Sequence, residues 1–326
     1  MVFRNIINKS CWKERLMSKL ISITPLRDAL FQHSRPWHNP FADYSVTALT
    51  KPPRIVQLER RHQDYFLNLP MDEDQMDKQL PSFKGNAIHR RFEMMLKYFK
   101  QSRSNSGYLI EQRVFDRIRD RLIVGKFDVY KNSALYDIKT TSVWKYIFKQ
   151  FKDWEEQLNL YAWFCTSRGI DIKVLYVIAW LMDWDKYRIN QDDYPKKEIV
   201  QILLDNLWSP EEQKKHLDYL IDRQKANEDR SDDDLDFCTD EERWAKPDQF
   251  AVKAPEGKRA IRVLDTEAKA KEYIKRSKKP KKEKETWSIE CRKGGCMRCE
   301  GYCKVNIFCN QYQAEKGVAE NEKTKN

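Results

Sequence analysis

The chain has 326 residues, of which 40% are apolar and 34% are charged, and its formal net charge is +11 at neutral pH. This length suffices for one large domain or two smaller ones, and the composition is that of a globular protein with a polar surface. Val174–Met182 is the longest apolar run and is too short to cross a bilayer, so we expect no membrane association. The basic balance favours a polyanionic partner, although lysine-rich surfaces are often only solvated.

The first 45 residues predict an irregular arm, and residues 46–84 predict short helices and loops with a break at Pro52-Pro53. The arm is basic and lacks the apolar core of a secretory signal. We therefore expect a cytoplasmic protein of a bacterium or a phage-infected cell, with organelle targeting as the alternative. A longer helix follows, capped by Asn86, and its apolar residues recur at helical spacing. They are Ile88, Phe92, Met95, Leu96 and Phe99.

Three strands are predicted next. Tyr108–Val114 alternates polar and apolar residues, and Arg121–Tyr130 places Leu122 and Val124 on one face. Ala134–Thr140 follows a turn at residues 131–133, which indicates a hairpin.

A second helix and a fourth strand complete the predicted core. Asp153 with Glu156 is a capping-box pattern, and Gly169 suits the end of the helix that this pattern begins. Ile172–Leu181 is an apolar run that predicts a buried strand. The order helix, three strands, helix, strand predicts an α/β fold with a mixed central β-sheet flanked by helices.

The rest of the chain predicts smaller segments. Lys196–Trp208 and Pro210–Asn227 are expected to form two amphipathic helices, and the acidic Glu228–Glu242 a solvated linker. Ala251–Tyr273 predicts a strand and a helix, and Arg276–Glu285 a charged link. We therefore expect an N-terminal arm and helical segment (1–79), a core domain (80–227), and linkers with a small cysteine-rich C-terminal module (228–326).

Four short motifs lie in order along the predicted core. They are Gly85-x-x-x-His89, Gly125-Lys126-Phe127-Asp128, Asp137-Ile138-Lys139 and Gln157-x-x-x-Tyr161. Each alone has a plain structural explanation, such as a surface histidine, a surface ion pair or a packed tyrosine. Their order and the elements that carry them favour one shared site.

The motifs contain the groups that a metal-dependent hydrolase needs. A hairpin brings Asp128 beside Asp137, and two carboxylates that close repel each other unless a cation lies between them. His89 and the backbone carbonyl of Ile138 can complete a site for Mg²⁺ or Mn²⁺. Lys139 lies on the same side of its strand as Asp137, where it can hold or deprotonate an attacking water or neutralise phosphate charge. The predicted reaction is hydrolysis of a phosphodiester.

Several residues near these motifs are candidates for nucleic-acid contacts. Gln157 and Tyr161 share a helix face and can contact a phosphate or brace the lysine. The run from Val143 to Lys149 interleaves aromatic and basic residues, as in single-strand binding surfaces, but its aliphatic members favour core packing of the rings. The DNA-binding candidates are Arg90, Arg121, Lys126, Trp144 and Lys145.

Residues 80–182, with these motifs, resemble the RecB-type branch of the PD-(D/E)XK nuclease superfamily. The resemblance implies a restriction-endonuclease-like core and Mg²⁺- or Mn²⁺-dependent DNA cleavage, typically exonucleolytic, in repair, recombination or phage replication. It implies that His89, Asp128 and Asp137 bind the metal and that Lys139 is the catalytic lysine. Phe127 stands where many members have proline. Glu93 and Glu111 are further acids whose roles the resemblance does not fix.

Five cysteines lie close together near the end of the chain, at positions 291, 296, 299, 303 and 309. Without a secretory signal, clustered cysteines indicate a metal site holding Zn²⁺ or a [4Fe–4S] cluster, with free thiols as the alternative. The preferred ligands are Cys299, Cys303 and Cys309, with Cys238 or Cys296 as the fourth. Some RecB-type nucleases hold such a cluster with three C-terminal cysteines and one well upstream of the first motif. In this chain the corresponding place, around Pro52-Pro53-Arg54, has no cysteine.

The sequence thus favours a nuclease acting on single-stranded DNA or duplex ends, with a helicase or recombination protein as an expected partner. One alternative is a catalytically silent DNA-binding module on the same fold within a larger complex. A weaker alternative is a structural tail or assembly protein. The chain has no Gly-x-x-x-x-Gly-Lys-Ser/Thr loop, so any unwinding driven by ATP must come from another protein.

Overall fold

The computed structural model describes residues 42–68, 73–102, 107–255, 257, 259–277 and 286–323. Most of the predicted arm and of the predicted charged link lies outside these residues. Within the described part, no helix combines the length and apolarity needed to span a membrane. The chain forms two compact units, one with residues up to Lys51 and Arg61–Ala226, the other with Pro52–Arg60 and residues from Asn227 onward.

The first unit is built on a mixed six-stranded sheet. Its order is β1-β3-β4-β5-β6, and β2 also pairs with β3. Strands β4 and β5 run parallel to each other. Strands β2 and β4 are both antiparallel to β3, and β6 is antiparallel to β5. The predicted mixed α/β fold is confirmed. The strands are β1 (Tyr44–Ser45), β2 (Leu109–Ile118), β3 (Arg121–Lys131), β4 (Ala134–Thr141), β5 (Val174–Leu181) and β6 (Ile199–Leu204).

Helices of the first unit pack on this sheet. Helix α6 contacts strands β2 to β5 through buried side chains such as Leu158 and Phe164, and helix α4 contacts β2 and β4. The helices of this unit are α1 (Val46–Leu49), α3 (Gln63–Asn68), α4 (Glu73–Ser102), α5 (Val143–Ile147), α6 (Lys152–Thr166) and α7 (Pro210–Lys225).

The predicted hairpin between β3 and β4 is confirmed. Its turn residues Asn132 and Ser133 have φ values of 51° and 59°, and Lys131 pairs with Ala134. Left-handed residues at both central positions match the right-handed twist of the flanking strands. The β2–β3 hairpin uses the same device at Arg119 and Asp120.

The prediction of a helix over Lys196–Trp208 is wrong, because this segment contains strand β6, which pairs with β5. Within it, Ile202 and Leu204 are buried while the residues on either side of Ile202 are exposed. This alternation with a period of two, together with the β-branched Val200, fits a strand better than a helix.

Helix α4 also differs from its prediction. It begins at Glu73, so Asn86 lies inside it and does not cap it. The apolar stripe is only partly covered, since Met95 and Phe99 are exposed. The helix is therefore longer and less buried than its sequence pattern indicates.

The capping box predicted at Asp153 is absent, because the N-cap of α6 is Phe151, two residues before Asp153. The Asp153 carboxylate instead accepts two hydrogen bonds from Lys145 Nζ, at 2.8 and 2.7 Å. Glu156 contacts His216 Nε2 at 2.7 Å. Gly169 follows the helix with a φ of +76°, the conformation for which glycine was expected there.

The second unit contains a small antiparallel sheet of order β8-β7-β9. The strand and helix predicted within Ala251–Tyr273 are confirmed by β7, β8 and α9. The segment Glu228–Glu242, predicted as a solvated linker, is instead packed: Leu235 is buried and Asp236 N donates to Asn227 Oδ1 at 2.8 Å. The elements are α2 (Pro53–Arg61), α8 (Asp240–Arg243), β7 (Gln249–Lys253), β8 (Arg262–Leu264), α9 (Glu267–Arg276), β9 (Ser288–Arg292) and α10 (Asn310–Lys323).

Gly125 in β3 permits close packing of helices against the sheet. A Cβ atom at this position would lie 2.7 Å from Tyr161 Cε1 and 2.9 Å from Val46 Cγ2. Both contacts are with buried side chains on α6 and α1. The glycine of the second motif is thus required for packing beneath Tyr161.

We expect Gly125→Ala to lower the free energy of unfolding by about 1–3 kcal/mol, because the added methyl group overpacks this contact. Urea denaturation of the purified protein measures the change. Gly301→Ala is the control, since a Cβ there meets no atom within 4 Å. Equal stability of Gly125→Ala and the unmodified protein would contradict the packing role.

Candidate functional site

The site forms where strands β3 and β4 separate. Their register runs from Lys131↔Ala134 to Val129↔Tyr136 and stops there. The next residue of β3, Asp128, accepts a hydrogen bond from the backbone N–H of Ile138 through its Oδ2 atom, at 2.7 Å. A side chain thus replaces the backbone ladder, and the carboxylate is fixed in the opening between the strands.

Three side chains meet at this opening. His89 Nε2 on α4 lies 2.9 Å from Asp128 Oδ2 and 3.7 Å from Glu111 Oε1 on β2. One ligand atom from each of the three residues falls within 4.8 Å of the others. An imidazole and two carboxylates in this arrangement fit a hard divalent cation such as Mg²⁺ or Mn²⁺.

Glu111 is the member of this group to which the sequence assigned no role. The β2–β3 register pairs Ile110 with Val129 and Gln112 with Phe127, which puts Glu111 opposite Asp128. Glu111 has a φ of 52°, an unusual value for a side-chain-bearing residue in a strand. The sequence shows that Glu111 is an acid on a strand next to β3. It does not show the register of the β2–β3 pairing, so it could not place Glu111 opposite Asp128.

Lys139 occupies the centre of a second set of contacts. Its Nζ lies 2.8 Å from Asp137 Oδ2 and donates to Gln157 Oε1 at 3.0 Å. Tyr161, one turn further along α6, is hydrogen-bonded to the Gln157 side chain and to the backbone of Lys126. The third and fourth motifs are therefore joined through the lysine.

The electrostatics of these groups follow from burial and proximity. Burial raises the pKa of Asp137 to about 6, and Asp128 adds to the rise, against the opposing effect of Lys139. The hydrogen bond to Asp128 raises the pKa of His89 above its usual value. Burial lowers the pKa of Lys139, but Asp137 more than offsets this, so the pKa is raised and the group stays an ammonium. Two buried carboxylates beside an imidazole are a charge arrangement that a cation would stabilise.

The first motif glycine also has a packing role. A Cβ atom on Gly85 would lie 2.7 Å from Thr140 Oγ1, next to Lys139 on β4. The absence of a side chain lets α4 approach β4 closely. His89, one turn later, is thereby brought to the opening between the strands.

The site residues proposed from the sequence occupy two adjacent groups. His89 and Asp128 contact each other, and Asp137 lies near enough to affect the pKa of His89. Asp137 is engaged with Lys139 and is not part of the three-residue group. Ile138 contributes its amide to Asp128. Glu93, the other acid without an assigned role, pairs with Lys97 on its own helix.

The DNA-binding candidates have different surroundings. Lys126 forms an ion pair with Glu111, Arg121 pairs with Asp120 at 3.0 Å, and Lys145 is bonded to Asp153. Arg90 is exposed on α4. Trp144 is also exposed, as is Phe148, so the expectation that these two rings pack in the core is wrong, whereas Tyr146 is half-buried. Contact with DNA stays a prediction for all five residues.

A separate small cavity lies within the second unit, and four cysteines line it. They are Cys238, Cys299, Cys303 and Cys309. Cys296, the other candidate for a fourth ligand, does not line this cavity. Burial raises the pKa of Cys238 to about 12 and that of Cys303 to about 11. These thiols are therefore protonated at neutral pH, and a metal would displace their protons on binding.

Arg54 on α2 lines the same cavity, close to the place where the chain lacks an upstream cysteine. Its side chain is only 1% exposed. It donates to the carbonyl oxygens of Leu235 and Asp236 and to Asn310 Oδ1, the last at 2.6 Å. Arg243, also on the cavity wall, forms an ion pair with Glu315. The guanidinium of Arg54 thus fastens α2 to the segment before Cys238 and to the start of α10.

Comparisons with known proteins give distant structural likeness only. No protein-family model matches the chain, and no curated protein matches it. The crystal structure of SSO0001 aligns with a TM-score of 0.40 at 16% identity, over 61% of this chain and 84% of that one. A structure from Eubacterium rectale, named as a candidate exonuclease, aligns with a TM-score of 0.28 at 12% identity, over 53% of this chain and 62% of its own.

We expect the affinity for Mn²⁺ to fall as the pH is lowered. The pKa of His89 is raised above its usual value, so the imidazole takes up a proton on the acidic side and must lose it before it can bind the ion. Below the pKa of His89 the affinity should drop by about tenfold per pH unit, as one proton must leave this ligand for each ion bound. Isothermal titration calorimetry from pH 5 to 8 measures this. An affinity independent of pH would contradict the assignment.

We expect Arg54→Met to destabilise the second unit by about 3 kcal/mol, because several buried carbonyls lose their donor. Urea denaturation gives the free energy, and hydrogen exchange of the 232–236 amides localises the effect. Arg276→Met is the control, since the side chain of Arg276 is 81% exposed. Unchanged exchange at 232–236 in Arg54→Met would contradict the role of the guanidinium.

Proposed function

We propose that this protein is a divalent-metal-dependent DNA nuclease that hydrolyses phosphodiester bonds. The observation that carries the proposal is the position of Lys139, which Asp137 and Gln157 hold beside the group formed by His89, Glu111 and Asp128. Cleavage from strand ends, in repair, recombination or phage DNA metabolism, is the form of the activity that we propose from the motif resemblance.

His89, Asp128 and Glu111 are the residues that would hold Mg²⁺ or Mn²⁺, with Asp137 as the neighbouring carboxylate. A divalent ion, when bound, supplies positive charge that stabilises the negative charge developing on the phosphodiester. The imidazole of His89 favours Mn²⁺ as well as Mg²⁺, since it is a softer ligand than a carboxylate. Asp128 is already fixed by the Ile138 amide, so little rearrangement is needed for it to bind the ion.

Lys139, paired with Asp137, supplies a second positive charge. Its raised pKa keeps it protonated, which favours stabilisation of the phosphate and orientation of a water over removal of a proton. Gln157 limits the rotation of the ammonium, and Tyr161, whose pKa is raised by burial, stays a neutral phenol that braces Gln157. The fourth motif thus contributes by positioning Lys139.

The main alternative is a DNA-binding module without catalysis, working within a larger complex. Such a protein has no need to preserve the contacts of Lys139 with Asp137 and Gln157, or the clustering of His89 with two acids. Both features are present together, and this favours an enzyme. A helicase or recombination protein is the partner that we propose for either form.

For the cysteine-lined cavity we propose an iron–sulfur cluster in preference to zinc. A tetrahedral zinc site with Zn–S bonds of about 2.3 Å holds its sulfur atoms roughly 3.8 Å apart. Among the residues that the structure describes, His89, Glu111 and Asp128 form the one group of three metal-binding side chains whose ligand atoms all lie within 4.8 Å, so no three of the cysteine sulfurs are that close together. A cluster of several irons is wider than a single ion and does not need its sulfur ligands so close.

We expect the purified protein to release nucleotides from end-labelled DNA with Mg²⁺ or Mn²⁺, and Lys139→Ala and Asp137→Asn to lower kcat by about 10²–10³-fold or more. Lys139→Ala removes a positive charge that stabilises the transition state, and Asp137→Asn removes the carboxylate that holds Lys139 in place. Linear single-stranded, linear duplex and circular substrates separate action at ends from internal cleavage.

Lys214→Ala is the matched control, because Lys214 pairs with Asp218 on the surface of α7 and should not affect the reaction. Cleavage that survives Lys139→Ala, or no cleavage with either metal, would refute the proposed function. Ultraviolet–visible absorption of anaerobically purified protein tests the cluster separately, since zinc gives no visible absorption.

A further inference from the structure

Trp144 on α5 and Phe148, the residue that follows this helix, form an exposed stacked pair. Trp144 and Phe148 are 46% and 62% exposed, and their ring centroids lie 5.9 Å apart with an interplanar angle of 21°. They are one helical turn apart, so both rings project from the same side of α5. Aromatic rings of this size stabilise a fold when they are buried, and these two do not. Their exposure therefore indicates a binding role.

The aromatic pair lies close to Lys139 along the chain, and α5 is held at the end of the strand that carries Lys139. Helix α5 begins two residues after β4, the strand that carries Lys139. The Ser142 side chain caps α5 by accepting from Lys145 N, and Val143 N donates to Asp183 Oδ1 at 2.6 Å. Asp183 follows β5, which runs parallel to β4, so α5 lies at the edge of the sheet where both strands end.

A second anchor joins α5 to the helix of the fourth motif. Lys145 Nζ bonds both carboxylate oxygens of Asp153, in the first turn of α6. Gln157, which holds Lys139, lies one turn further along α6. The position of the aromatic pair is therefore set by the same two elements that position the catalytic lysine.

Basic groups surround the rings. The Arg188 guanidinium lies 5.3 Å from the centroid of the Trp144 ring, on a 3₁₀ turn (Lys186–Arg188). Tyr187 in this turn is 82% exposed, with the Lys186 ammonium 5.0 Å from its ring centroid. Lys149, immediately after Phe148, is exposed as well. Flat rings with neighbouring cations suit a chain of bases and phosphates.

We propose that Trp144 and Phe148 stack against unpaired bases of the strand being cleaved, so that the preferred substrate has a single-stranded end. A base in the interior of a duplex has both faces covered by its neighbours and cannot stack on these rings. Arg188 and Lys149 contact the phosphates on either side. The inference rests on the proposed nuclease function and specifies the form of its substrate.

The test measures DNA binding in the Lys139→Ala background, where cleavage is blocked. The probes are a fluorescent single-stranded oligonucleotide, an abasic strand of the same length, and a blunt duplex. Trp144→Ala and Phe148→Ala should each weaken binding of the single strand by about 10-fold, within the usual range for loss of one base–aromatic stack. Binding of the duplex and of the abasic strand should change less than about twofold, because neither presents an unpaired base.

Two controls separate stacking from general damage. Tyr219→Ala removes another exposed ring, 56% exposed on α7, and should leave all three affinities unchanged. Trp144→Phe should retain most of the single-strand affinity, since a ring remains. Thermal denaturation confirms that the variants are folded.

The outcomes distinguish the two proposals. If the unmodified protein cleaves DNA but Trp144→Ala and Phe148→Ala bind single strands normally, the stacking inference is wrong and the nuclease function stands. Equal weakening for the single strand, the abasic strand and the duplex also overturns it. If the unmodified protein neither binds nor cleaves any of the DNA probes, the proposed function itself fails.

Discussion

The separation of β3 from β4 beyond Val129 and Tyr136 is the feature on which the site depends. A continued ladder would fill the space with backbone hydrogen bonds and leave no opening. Asp128 ends the ladder by accepting the Ile138 amide with its side chain, at 2.7 Å. The amide is satisfied, the carboxylate is fixed, and His89 and Glu111 can approach it from α4 and β2. One hydrogen bond thus both terminates the pairing of two strands and positions the central acid.

Two glycines allow helices to reach this opening. Gly85 lets α4 lie against Thr140, and Gly125 leaves room beneath Tyr161. Side chains at either position would push away an element that carries a functional group. Tyr161 then supports Gln157, which holds Lys139. The motif glycines therefore act by allowing close approach of the helices, because a Cβ atom at either position would lie 2.7 Å from a neighbouring side chain.

Much of the first unit could be predicted because the signals are local. Turn residues at Asn132 and Ser133 and the two-residue spacing of Asp137 and Lys139 depend on the chain immediately around them. Predictions failed where a distant partner decided the outcome. Asp153 resembles a helix cap but bonds Lys145. The segment containing β6 is a strand because the edge of β5 is available for pairing. Trp144 was expected in the core, yet it is exposed on a short helix at the end of β4.

The sequence by itself determined the mixed α/β fold and a set of residues able to bind a divalent cation, since periodicity and short motifs are properties of neighbouring residues. Only the tertiary structure decided that Glu111 lies opposite Asp128, because strand register is a long-range property. It also decided that Cys238 lines a cavity with three cysteines from the end of the chain, and that Arg54 fastens the wall of that cavity. Cys238 lies 61 positions before Cys299 and Arg54 lies 181 positions before Leu235, so no local pattern encodes these two placements.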